Sequence, residues 1–91
     1  MATAIVLLHV ERPKINSAAD ALAQMQEVSE VYSVTGRYDL AAIVRATDTA
    51  RMAQVITRQV VNVDGILGSE TLVAFRVCSK HDMERMFSLQ A

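Results

Sequence analysis

The chain has 91 residues, 52 % of them hydrophobic, with 9 Lys and Arg against 10 Asp and Glu and a formal net charge of −1. That length and apolar content suit one packed domain, and charges dispersed along the chain leave no basic stripe to neutralise phosphates, which argues against direct nucleic-acid binding. A single cysteine, Cys78, excludes an intrachain disulfide, and the apolar start has neither a signal-peptide pattern nor the length of a membrane span, so a cytoplasmic protein is expected.

Thr3 to Val10 (TAIVLLHV) is a short run rich in β-branched residues, closed by Glu11-Arg12-Pro13, and reads as a buried strand. From Pro13 onward Ile15, Ala18, Ala19, Leu22 and Met25 form a helical stripe, with Ser17-x-x-Asp20 resembling a capping box. Val28 to Arg37 alternates as a strand, Tyr38 to Ala46 is apolar on both parities, and Gly36-Arg37 lies between them where a tight hairpin turn belongs. Thr47-Asp48 offers an N-cap to a second helix carrying Met52, Val55, Ile56, Val60 and Val63, which Asp64-Gly65 stops. Ile66 to Cys78 returns to strand character, and Met83, Met86 and Phe87 recur at helical spacing in a short terminal helix over His81 to Leu89.

The order βαββαβ plus a tail predicts an α+β, ferredoxin-like domain. Its four-stranded antiparallel sheet carries both helices on one face, because each split crossover packs right-handed on the same side. In the first strand Ile5 and Leu7 are as apolar as Ala4, Val6 and Leu8, and in the third Ala41 and Ile43 are as apolar as Leu40, Ala42 and Val44. Helices cover only one face, so a second copy is expected against the other, making an obligate dimer packed sheet against sheet.

Two segments carry candidate binding chemistry. In Val34-Thr35-Gly36-Arg37-Tyr38-Asp39-Leu40, a hairpin glycine supplies positive φ, turn amides can converge on a carboxylate, Asp39 can hold an ammonium group and Tyr38 offers a ring and a hydroxyl. The same pattern also describes an ordinary turn followed by a solvated acid. In Gly65-Ile66-Leu67-Gly68-Ser69-Glu70-Thr71 the hydroxyls of Ser69 and Thr71 share one parity and can bond a carboxylate or an amine, or simply face solvent.

Together, SEVYSVTGRYDLAAIVRA and, after a helix, VDGILGSETLVAFR resemble the ligand-binding domain of Lrp/AsnC regulators over nearly the whole chain. The family's hairpin pattern V-T-G-x-Y/F-D is matched throughout; its P-G-V-x-x-T-x-T approach to the last strand is matched with Asp64 in place of Pro and Ser69 in place of the first Thr. The resemblance implies a dimeric α/β barrel that assembles into octamer- or decamer-like rings, with a small amino-acid effector bound between dimers. It implies that main chain around Gly36, Tyr38 and Leu40 holds the effector carboxylate and Asp39 its amino group, and that Ser69 and Thr71 form the opposite wall. Because the chain starts directly at the first strand, it resembles the stand-alone members of the family, without a helix-turn-helix domain.

A structural adaptor that joins full-length Lrp/AsnC regulators in mixed oligomers without a ligand would share these assembly features, and a small dimeric α/β-barrel enzyme would share the fold. The enzyme reading meets a chain with no Trp, two Tyr and two Phe, and no recognisable base for catalysis, so no catalytic residue is assigned. His9 and His81 are far apart with no ligand set around them, Cys78 reads as a small hydrophobe, and Arg51 and Arg58 read as a solvated helix face. No metal or cofactor is expected, since Gly36 lies in no nucleotide-binding loop.

Overall fold

A computed structural model describes residues 1–75. Strand β1 (Ala2–Val10) leads through a 3-10 turn (Arg12–Lys14) into helix α1 (Ile15–Ala23). Strands β2 (Val28–Ser33) and β3 (Leu40–Ala46) follow, then helix α2 (Thr49–Val55) continued by a π-helical turn (Ile56–Val60), and strand β4 (Ile66–Ala74). The sheet is four-stranded in the order β2-β3-β1-β4 with every neighbouring pair antiparallel. This is the expected ferredoxin-like arrangement. The strand expected as far as Cys78 is described to Ala74, and Cys78, His81 and the terminal helix with Met83, Met86 and Phe87 lie outside the described residues.

Period-two alternation decides which side chains meet the helices. Ala4, Val6, Leu8 and Val10 of β1 and Leu40, Ala42, Val44 and Ala46 of β3 are buried, and form one core with Ala18 and Leu22 of α1 and with Met52, Val55, Ile56 and Val60 of the second helix. Leu8, Leu22 and Leu40 are among its largest fully buried side chains, each contributing roughly 1.5–3 kcal/mol of apolar transfer. The opposite face presents Ile5 and Leu7 of β1, Ala41 and Ile43 of β3 and Leu72 of β4, aligned in two rows, Tyr32–Ala41–Leu7–Glu70 and Glu30–Ile43–Ile5–Leu72. Ala41 is closely packed by its neighbours, whereas Leu72 at the edge is 46 % exposed. The doubly apolar strands therefore bury one parity under helices and leave the other on an open sheet face.

Several local expectations are corrected. Helix α1 begins at Ile15, ahead of the Ser17-x-x-Asp20 pattern; its N-cap is Lys14 with no side-chain cap, and the Ser17 hydroxyl donates back to the Lys14 carbonyl at 3.1 Å. Pro13, with its fixed φ, sets the 3-10 turn that starts the helix earlier. The β2–β3 connection is wider than a two-residue turn at Gly36-Arg37. The strands stop at Ser33 and restart at Leu40, and Val34 N–H donates to the Asp39 carbonyl at 3.0 Å to close the loop. Gly36 takes the expected positive φ, +111°, within this longer loop. Arg51 is no free surface charge: its guanidinium spans to the Glu27 carboxylate at 3.2–3.3 Å, where Glu27 is 13 % exposed, and ties α2 to the turn before β2.

The second helix starts as expected, with Asp48 Oδ1 accepting from Arg51 N–H at 2.8 Å. Beyond Val55 it widens, Val61 N–H reaching the Ile56 carbonyl at 3.1 Å, five residues back. A turn of this width puts Val55 and Val60, both fully buried, on the same face. Thr57 donates to the Ala53 carbonyl at 2.6 Å and Asn62 to the Arg58 carbonyl at 3.0 Å, satisfying backbone oxygens on the exposed side.

Gly65 closes the connection to β4 at φ +99°, and a Cβ there would lie 2.7 Å from Lys14 Cβ. The glycine is required by both the backbone and the space. Its carbonyl accepts from Glu11 N–H at 2.8 Å, and Lys14 above it forms ion pairs with Asp64 at 3.1 Å and Glu11 at 3.5 Å. These partners, Asp64 foremost, hold the Lys14 ammonium pKa above its ordinary value.

Candidate functional site

The hairpin loop and the start of β4 converge at one end of the sheet because β1 runs between them. Leu8 pairs with Leu40 on one side and with Ser69 on the other, and the ladder gains one further bond from Asp39 N–H to the Leu8 carbonyl at 2.9 Å. Past Leu8 the β1–β4 register slips between His9 and Val10. At this bulge the Val10 N–H turns to Asp39 and donates to its Oδ2 at 2.9 Å. Asp39 is thus a half-buried acid anchored by one oxygen.

Tyr38 does not stay with the hairpin. Its ring stacks on His9, with centroids 4.4 Å apart and planes at 27°, and its hydroxyl donates to Glu70 Oε2 at 2.7 Å. The side chain therefore crosses β1 and links hairpin to β4. The Glu70 bond, followed by partial burial, raises the Tyr38 phenol pKa. Gly68 lies opposite His9 in the register, and a Cβ there would make ordinary van der Waals contact with His9 Cδ2 at 3.7 Å. His9 and Glu70 are members of this cluster that local sequence patterns do not single out. Only the parity of β1 and β4, which sets His9 beside Leu7 and Glu70 opposite it, points to them.

The remaining candidate residues lie apart from this cluster. Gly36 is exposed at the loop tip, and a Cβ added there would meet nothing within 4 Å. Leu40 is fully buried, so only its main chain is available to a ligand. Ser69 and Thr71 share the parity of Leu8 and Val6, hence the helix side of β4, and both are exposed. Ser69 stands two strands from Leu40 in the same row, roughly 10 Å at the usual strand spacing. Within one chain, the hairpin and the β4 hydroxyls are brought to the same end of the sheet, on either side of β1.

The second helix lies over β1 and β3, which leaves the helix side of edge strand β4 uncovered among the described residues. A cleft of about 230 Å³ results, with Thr49, Met52, Ala53, Ile56 and Thr57 on one wall and Thr71 and Val73 on the other. Among the described residues, no three His, Cys, Asp or Glu side chains gather as metal ligands, and no helix is long and apolar enough to cross a membrane.

Element order and strand order together define a ferredoxin-like α+β domain. The chain belongs to the Lrp/AsnC ligand binding domain family, whose sequence model matches residues 3–83. The HTH-type transcriptional regulator FL11 of Pyrococcus furiosus is 27 % identical over 74 residues, covering 81 % of this chain and 48 % of that protein. The chain thus spans about half the length of this curated relative. Among solved structures, TTHA0845 from Thermus thermophilus superimposes with a TM-score of 0.81 at 39 % identity, over 88 % of this chain and 100 % of that one. The transcriptional regulator NMB0573 of Neisseria meningitidis, solved as a complex with L-Met, has the same fold, with a TM-score of 0.76 at 12 % identity over 86 % of this chain and 52 % of that one.

Proposed function

We propose that the chain is a cytoplasmic, non-catalytic regulatory module that binds a small amino acid and couples binding to assembly. Copies pair sheet against sheet as a dimeric α/β barrel, dimers join into rings of the octamer or decamer kind, and the effector lies between dimers. The observation that carries the reading is the anchored hairpin: the Val10 N–H holds Asp39 by Oδ2, which fixes a carboxylate at the end of the loop that carries Gly36. An ammonium group and a carboxylate can be taken there side by side. Ser69 and Thr71, across β1 from the hairpin, supply the opposite wall from another copy, so a bound amino acid favours the assembly that holds both. The open face of Ile5, Leu7, Ala41, Ile43 and Leu72 supports the dimer. The L-Met complex of the Neisseria regulator supports an amino acid as the effector class, and the regulator FL11 supports a role in transcription beside full-length members of the family.

The test is thermal unfolding against a panel of amino acids at millimolar concentration, with sedimentation velocity in parallel. A selective rise in midpoint together with a shift to larger species, both lost in Asp39→Ala while dimers persist, establishes the reading. Absence of any shift across the panel overturns the sensor and leaves an assembly module without a ligand.

A further inference from the structure

We infer that the cleft between α2 and β4 receives the effector's side chain, and that the effector is an amino acid with an uncharged, apolar side chain of about leucine or methionine size. The assignment deepens the effector reading above and rests on it. Thr71 belongs both to that reading's opposite wall and to the cleft, so a ligand touching Thr71 has the cleft immediately beside it. Lining residues Met52, Ala53, Ile56 and Val73 are apolar, and Val73 remains 55 % exposed although it faces the second helix. Three threonines, Thr49, Thr57 and Thr71, complete the lining; Thr57 already donates its hydroxyl proton to the Ala53 carbonyl.

No charged residue lines the cleft among those described. Arg51, on the same helix, is turned to Glu27. A lysine, glutamate or aspartate side chain would give up its hydration there and find no counter-charge, at a cost that cancels binding. At about 230 Å³ the space is smaller than the clefts that enclose drug-sized ligands and suits a single side chain. Each further methylene placed in it should tighten binding roughly fourfold. Glycine and alanine leave the cleft empty.

The test is the unfolding midpoint of the full chain with glycine, L-alanine, L-valine, L-leucine, L-methionine, L-lysine and L-glutamate, repeated in Ala53→Phe, which fills the cleft from an exposed helix position, and in Val73→Ser, which removes one apolar wall. The expected ranking is leucine and methionine above valine, valine above alanine, and no response to lysine or glutamate. Ala53→Phe should abolish the advantage of leucine over alanine, and Val73→Ser should reduce it about tenfold in apparent affinity, with the ligand-free midpoints retained. A larger response to lysine or glutamate, or an unchanged ranking in both variants, overturns the assignment while the effector reading stands. A changed oligomeric state in the variants with an unchanged ranking also overturns it, and identifies another chain segment or copy as the occupant. No response to any amino acid overturns both readings.

Discussion

Asp39 and Val10 are joined by a hydrogen bond of 2.9 Å from the Val10 N–H to the Asp39 carboxylate, so the acid best placed to hold an amino group also fastens the hairpin to the central strand β1. The two duties separate by substitution. Asp39→Asn retains an acceptor oxygen for Val10 and removes the charge; Asp39→Ala removes both and leaves a buried N–H unpaired, which costs about 1–3 kcal/mol. The ligand-free midpoint should fall by roughly 4–8 °C per kcal/mol in Asp39→Ala and by much less in Asp39→Asn, while both lose the response to amino acids. Equal midpoints for the two variants in differential scanning calorimetry would remove the anchoring role.

Gly65 and Gly36 both take positive φ but should not respond alike to substitution. At Gly65 a Cβ meets Lys14 Cβ at 2.7 Å, whereas at Gly36 nothing lies within 4 Å. Gly36→Ala carries only the backbone strain, about 1 kcal/mol; Gly65→Ala adds a collision with the root of a side chain and should cost about 2–3 kcal/mol. Urea unfolding at equal denaturant slopes measures the difference.

Leu72 lies at the edge of the open sheet face and is half exposed in a single chain. Leu72→Glu should leave the secondary structure seen by circular dichroism unchanged, yet it places a charge in the face proposed above as the dimer contact. Sedimentation equilibrium should then report the mass of one chain. Retention of the parent assembly would argue that this face is not the contact.

Lys14 and Tyr38 both have pKa values raised in the folded chain, Lys14 first by its bond to Asp64 and Tyr38 first by its bond to Glu70. Folding then retains protons that the unfolded chain releases, so their contribution is complete below the unfolded values and is lost as pH rises through the folded ones. Midpoints should be level between pH 7 and 9 on account of these groups and fall above about pH 10. In Tyr38→Phe and Lys14→Met the alkaline fall should be shallower.

What the sequence shows about this molecule is mostly what is local. Alternation in Ala4 to Val10 and Leu40 to Ala46 identifies the strands and both of their faces, and Asp48 and Gly65 mark where the second helix begins and where the chain turns into β4. Three features depend on partners far along the chain and escape such a reading. Tyr38 meets Glu70 across β1 only because of a register set by both neighbouring strands. Arg51 finds Glu27 across the space between two connections. The carboxylate of Asp39 is aimed by a bulge at His9 and Val10, which has no signature in the hairpin itself. The Ser17-x-x-Asp20 pattern misleads for the opposite reason: it is a genuine capping motif placed after a helix that Pro13 has already begun.

The π turn over Ile56–Val60 bears on how the family can vary in length. Val55 and Val60 are five residues apart and both fully buried, whereas an ordinary α-helix brings residues four apart to the same face. Deleting one residue between them would restore a regular helix with Val55 and Val60 still on the same face. Ile56 and Thr57, which line the cleft, sit inside the widened turn and would be rotated by the same event. A single-codon deletion here would therefore reshape the cleft while both valine anchors keep their places.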